Sequence, residues 1–107
     1  PDCRSGHPLV QRTIAIIQTR YQQPLKLEGV AGEQYVSPAY LGRIFHAHTG
    51  QTFRDYLTQV RMQHAARLLR EGGSVSAVAG AVGYDDPNYF SRVYKKHFGY
   101  PPREGRR

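Results

Sequence analysis

One module of this chain is written twice. Val30-Ala31-Gly32 returns as Val78-Ala79-Gly80, and Pro38-Ala39-Tyr40-Leu41-Gly42-Arg43-Ile44-Phe45 returns as Pro87-Asn88-Tyr89-Phe90-Ser91-Arg92-Val93-Tyr94. The register holds from His48 over His97 to Gly50 over Gly99, with one residue inserted where Asp85-Asp86 stands against Ser37. Two copies are too few for a solenoid, so the chain is a duplicated module. Within 107 residues, units of roughly 45 residues bury only thin cores, and each needs a neighbouring element to lean on.

Each copy reads as two short helices around a tight turn. In the second, Ser74 or Ser76 starts a helix through Val78, Ala79 and Val82, and Gly83 stands where a left-handed residue is wanted. Asp86 is a suitable N-cap for the next helix, Pro87 its first residue, and Gly99 with Pro101-Pro102 its stop. In the first copy Leu27, Val30 and Ala31 line the short helix, and Ser37-Pro38 opens the second, which ends near Gly50. Tyr35 occupies the place of Gly83, so it must either accept a positive φ or hold a different turn. Ala31 and Ala79 are small enough for a close helix crossing.

Between the copies Phe53, Tyr56, Leu57, Val60, His64, Ala65, Leu68 and Leu69 form one apolar stripe at spacings of three and four. A helix from Thr52 to Glu71 is expected, about 29 Å long and closed by Gly72-Gly73. Leu9, Ile14, Ile17 and Tyr21 predict a further helix roofing the first unit. The expected fold is all-α. Residues 1–7 read as a disordered tail, 8–50 as a first helix-turn-helix subdomain, 51–73 as a linker helix and 74–107 as a second such subdomain.

Fifteen Lys and Arg stand against eight Asp and Glu, a formal charge of +7. A small domain this basic suits a polyanion, because each neutralised phosphate releases counterions. The positive end is Arg92, Lys95, Lys96, Arg103, Arg106 and Arg107, opposed there by Glu104 alone. The 39% hydrophobic content is ordinary, and no apolar run approaches the roughly 20 residues that span a bilayer. The polar start lacks a signal peptide, and Cys3 as the lone cysteine suits a reducing, cytoplasmic setting. A chain starting at Pro1 is expected to be a fragment of a longer protein. Neither a metal site nor a cofactor is expected, since His46 and His48 point to different sides of a helix.

The second helix of each copy has two faces. Leu41, Ile44, Phe45 and His48 are expected inside, as are Phe90, Val93, Tyr94 and His97. Outside stand Ala39, Gly42, Arg43 and His46 in one copy and Asn88, Ser91, Arg92 and Lys95 in the other, with the same spacing and an arginine at the third position of each. A major groove admits one such helix; Arg pairs bidentately with guanine, Asn with adenine, and small residues let the backbone approach thymine methyls. Ser37, His46, Lys95 and Lys96 are expected at phosphates, and Arg61 either at a phosphate or snorkelling on the surface. The competing reading of Arg43 and Arg92 is a structural ion pair with nearby acids. Major-groove segments on one face recur every ~34 Å, so if the linking helix is stiff and the two reading helices are nearly parallel, bent DNA or unequal use of the units is expected.

The run Gly83-Tyr84-Asp85-Asp86-Pro87-Asn88-Tyr89-Phe90-Ser91-Arg92-Val93-Tyr94-Lys95-Lys96-His97-Phe98-Gly99, with Pro102 after it, resembles the second-unit signature of the DNA-binding domain of the AraC/XylS family of bacterial transcription regulators. The resemblance spans about Pro8 to Arg106 and includes Leu27, Ala31, Ser37-Pro38, Tyr40-Leu41, Arg43, Phe45 and Gly50. It implies seven helices with a long central one, promoter binding, activation through RNA polymerase, and in many members an N-terminal sensing or dimerising domain. It also implies base reading by Ala39, Gly42 and Arg43, and by Pro87, Asn88, Ser91 and Arg92. Three residues depart from the pattern. Tyr35 replaces a common glycine, Ala39 and Gly42 offer little hydrogen bonding, and Gly105 replaces a usual aromatic, which weakens the last helix. Two other readings compete: the DNA-targeting part of a repair methyltransferase, which needs an activated cysteine that Cys3 does not supply, and a nonspecific basic scaffold.

Overall fold

The computed structural model describes residues 7–106; residues 1–6 of the expected 1–7 tail, Cys3 among them, and Arg107 lie outside them, whereas His7 caps the first helix. The chain runs α1 (Pro8–Arg20), α2 (Leu27–Glu33), α3 (Pro38–Thr49), α4 (Phe53–Arg70), α5 (Val75–Ala81), α6 (Pro87–Phe98) and a 3₁₀ helix (Pro102–Arg106). Among the described residues there is no strand, and no helix is long and apolar enough to cross a membrane. Two compact units, Pro1–Thr58 and Gln59–Arg107, divide within α4.

Helix starts follow local chemistry. His7 Nδ1 accepts from Leu9 N, Ser37 Oγ from Tyr40 N, Thr52 Oγ1 from Asp55 N and Ser74 Oγ from Ala77 N, so Ser74 rather than Ser76 is the cap of α5. Asp86 Oδ1 accepts from Asn88 N at 2.9 Å. Proline occupies the first turn of α1, α3 and α6, where its missing N–H leaves no hydrogen bond unmade.

The two helix-turn-helix turns make the same pattern of backbone hydrogen bonds. Tyr35 N donates to Gly32 O and Val36 N to Ala31 O; Gly83 N donates to Gly80 O and Tyr84 N to Ala79 O. Both are Schellman closures, with the positive φ at Tyr35 (59°) and Gly83 (103°). Tyr35 therefore accepts the strained conformation, since the two hydrogen bonds outweigh a left-handed penalty of about 1–2 kcal/mol. Its side chain is 94% exposed and loses little packing if removed. Tyr35→Gly is expected to stabilise by roughly 0.5–1 kcal/mol, once the greater freedom of glycine in the unfolded chain is subtracted. A rise in the urea midpoint at unchanged slope checks this; a fall means that the ring makes contacts worth more than the strain.

In the first unit α1 and α2 pack on α3. Leu41, Phe45, Ile17, Val30 and Ala31 are all buried, and the Phe45 ring meets Phe53 (6.3 Å) and Tyr56 (5.4 Å) edge-on. The roof helix buries Leu9, Val10 and Ile17, while Ile14 is half-buried. Thr13 goes inside because its hydroxyl donates to Leu9 O and accepts from Gln34 Nε2. Arg20 and Glu33 form a bidentate pair at 2.9 Å that holds the Glu33 carboxyl below its usual range.

In the second unit α5 packs on α6. Val78, Ala79, Val82, Phe90 and Tyr94 are buried, and the rings of Tyr84, Phe90 and Tyr94 follow one another at 5.6 and 5.9 Å. Pro102 is buried at the start of the 3₁₀ helix, which packs on α6.

Two expectations about faces need correction. The apolar surface of α4 is not one stripe: Phe53, Leu57 and Val60 are buried in its first half, but Met62, Ala65 and Leu69 are buried in its second. At 100° per residue Met62 lies opposite Phe53, so each half of the helix buries its own side. His48 and His97 are exposed rather than packed. The inward stripe follows Leu41, Phe45, Thr49 and Phe90, Tyr94, Phe98, steps of four that leave the histidines beside it. His48 touches the His7 ring edge-on at 5.8 Å.

Candidate nucleic-acid interface

α3 and α6 begin with the same device, a capped N-terminus followed by proline, and expose the same positions. Ala39, Arg43 and His46 are exposed on α3, and Asn88, Arg92, Lys95 and Lys96 on α6. Their one-turn spacing lines each set along one helix face. Pro87 and Ser91 are half-buried. So is Gly42, where an added Cβ would come within 3.3 Å of Leu27 Cδ2. Glycine here lets α2 and α3 approach closely, so part of its role is packing.

Arg43 and Arg92 lie three residues after a tyrosine and stack on it, the guanidinium carbons 5.5 Å from the Tyr40 centroid and 5.6 Å from that of Tyr89. Among the described residues neither arginine forms an ion pair with a carboxylate; the pairs observed are Arg20–Glu33 and Arg67–Glu71. Arg61 is half-buried, with its guanidinium 5.2 Å from the Tyr84 ring.

The helix N-termini differ electrostatically. Ser37 Oγ accepts from Tyr40 N and keeps its own proton to donate, so the start of α3 is neutral and open to an anion. The start of α6 carries the Asp85 and Asp86 carboxylates, which offset the helix dipole. Cations follow one turn or more later, at Arg92, Lys95 and Lys96.

A family model described as a helix-turn-helix domain matches residues 30–107, including both turns and the whole signature from Gly83 to Gly99. The chain belongs to the AraC/XylS family. It is 37% identical to the uncharacterized transcriptional regulatory protein YesN of Bacillus subtilis, over an alignment covering 95% of this chain and 29% of that protein. The C-terminal domain of AraT, a response regulator from Geobacillus stearothermophilus, superposes with a TM-score of 0.91 at 39% identity, covering 94% of this chain and 84% of that one. The DNA-binding domain of AdpA, a global transcriptional factor solved in complex with a target DNA, superposes with a TM-score of 0.86 at 25% identity, covering 94% and 91%. The chain spans about a third of the length of the curated relatives it matches.

In this AraC/XylS domain Ala39, Arg43 and His46 are exposed on α3 and Asn88, Arg92, Lys95 and Lys96 on α6, whereas Gly42, Pro87 and Ser91 are half-buried there, Ser37 caps α3 and Arg61 lies half-buried on α4. What sequence reasoning missed is Tyr40 and Tyr89, the ring partners of the two arginines. The signal was available, because Tyr stands three residues before Arg in both copies.

Proposed function

We propose that this AraC/XylS domain recognises double-stranded DNA sequence-specifically by setting α3 and α6 into the major groove. The observation that carries this is the repeated outward face with an arginine free of carboxylate partners at the same register in each copy. Arg43 and Arg92 would read guanines, and Asn88 an adenine. Ser91 would add a hydrogen bond, and Ala39, Gly42 and Pro87 would allow close apolar approach. Ser37, His46, Arg61, Lys95 and Lys96 would contact phosphates and set the register.

The richer polar face of α6 makes the second unit the main source of specificity. The longer relatives support a further N-terminal sensing or dimerising domain in the full regulator. Activation through RNA polymerase, a cytoplasmic and nucleoid-associated location, and the absence of catalysis belong to the same reading. The DNA complex of AdpA and the regulators among the relatives support it; nothing among them favours a repair enzyme.

Selection from random duplexes followed by sequencing tests the proposal. A recovered motif of one to two helical turns is expected, and enrichment of no motif would sink sequence-specific reading. Lys96→Ala is expected to weaken the selected site and bulk DNA alike and to lower the salt slope by about one contact. Preferential loss at the selected site would instead place Lys96 on a base.

A further inference from the structure

Resting on the reading of Arg92 as a base-contacting residue, we propose that Tyr89 is a positioning residue that holds Arg92 in its reading geometry. A solvent-exposed arginine samples many rotamers, whereas bidentate contact with a guanine uses one. The negative face of an aromatic ring attracts a guanidinium and its plane restricts the side chain. Tyr89 supplies such a face, 5.6 Å from the Arg92 guanidinium carbon, and stays 41% exposed to do so.

Tyr40 makes the same pair with Arg43 in the first unit, but the two shelves are not equally built. Tyr89 is seated against Tyr84 at 5.9 Å; Tyr84 is buried at the end of the helix-turn-helix turn and stacked under Arg61. The residue equivalent to Tyr84 in the first copy is Val36, which offers no ring. Arg61, Tyr84, Tyr89 and Arg92 thus form a continuous row of ring and guanidinium contacts in the second unit, and among the described residues Val36 leaves the first unit without the second ring. Specificity in the second unit therefore depends on an aromatic shelf as well as on the arginine.

The test uses the 107-residue chain, with Tyr89→Leu, Tyr89→Phe and Arg92→Ala. Without DNA, the Arg92 Hε resonance is expected to be shifted upfield by the ring in wild type and Tyr89→Phe, and to lose that shift in Tyr89→Leu. Discrimination between the selected duplex and one altered at the Arg92-dependent base pair is expected to fall about two- to five-fold in Tyr89→Leu. It should hold in Tyr89→Phe, and Tyr89→Leu should add nothing to the loss in Arg92→Ala. Discrimination lost in Arg92→Ala but kept in Tyr89→Leu overturns the shelf while the reading stands. Equal losses in Tyr89→Phe and Tyr89→Leu overturn it in favour of a hydroxyl contact. No loss in Arg92→Ala overturns the reading itself, and this proposal with it.

Discussion

Arg92→Ala is expected to weaken binding to the selected site by about 1–3 kcal/mol beyond its effect on random duplex. Two contributions separate. Removing one positive charge lowers affinity for any DNA and is erased by salt. Losing two hydrogen bonds to one guanine is felt only where that guanine stands and persists at high salt. The exposed face of α6 also offers Asn88, so Arg92→Ala should relax one base position while the adenine position stays defined. Arg43→Ala is expected to remove nearly all discrimination by the first unit, whose other outward residues include Ala39 and Gly42. Titrations of both variants against selected and random duplexes at two salt concentrations decide this. Equal losses on both DNAs would mean that the arginines hold phosphates and that the faces are misassigned.

Phe90→Ala is expected to cost about 3–5 kcal/mol, a large share of the 5–15 kcal/mol that typically holds a domain together. Phe90 has no exposed surface and lies between the rings of Tyr84 and Tyr94, so alanine leaves a cavity lined by rings that cannot collapse into it. The same side chain underlies the helix that carries Asn88 and Arg92, so specific DNA binding should fail along with stability. Hydrogen exchange checks where the loss falls. Amides of α5 and α6 are expected to lose most of their protection, while those of α1 to α3 keep theirs. Uniform loss through both units would show that they unfold as one, contrary to the separate cores around Phe45 and Phe90.

Much of this was legible because it depends on near neighbours in the chain. Asp86-Pro87 and Ser37-Pro38 announce helix starts through side-chain acceptors one turn away. Gly50 and Gly99 announce stops through left-handed backbone. Leu41, Phe45, Phe90 and Tyr94 came out buried as their spacing implied. His48 and His97 did not, because the covered stripe runs in steps of four through Thr49 and Phe98 and leaves the histidines at its edge. Likewise α4 read as one stripe, although its halves bury opposite sides, since a single helical wheel superimposes residues that meet different neighbours.

By itself the sequence determined the duplication, the helical class and the polar outward faces, because composition and spacing act over one or two turns. Only the tertiary structure decided the rest. The turn at Tyr35 is left-handed because two backbone hydrogen bonds favour that form over relief of the strain. Gly42 is turned partly toward Leu27 because α2 packs there. Arg92 lies over Tyr89, and Tyr89 beside Tyr84, because the turn brings residues five apart into ring contact. Whether an exposed arginine is free or held depends on what packing places beneath it, and spacing alone does not carry that information.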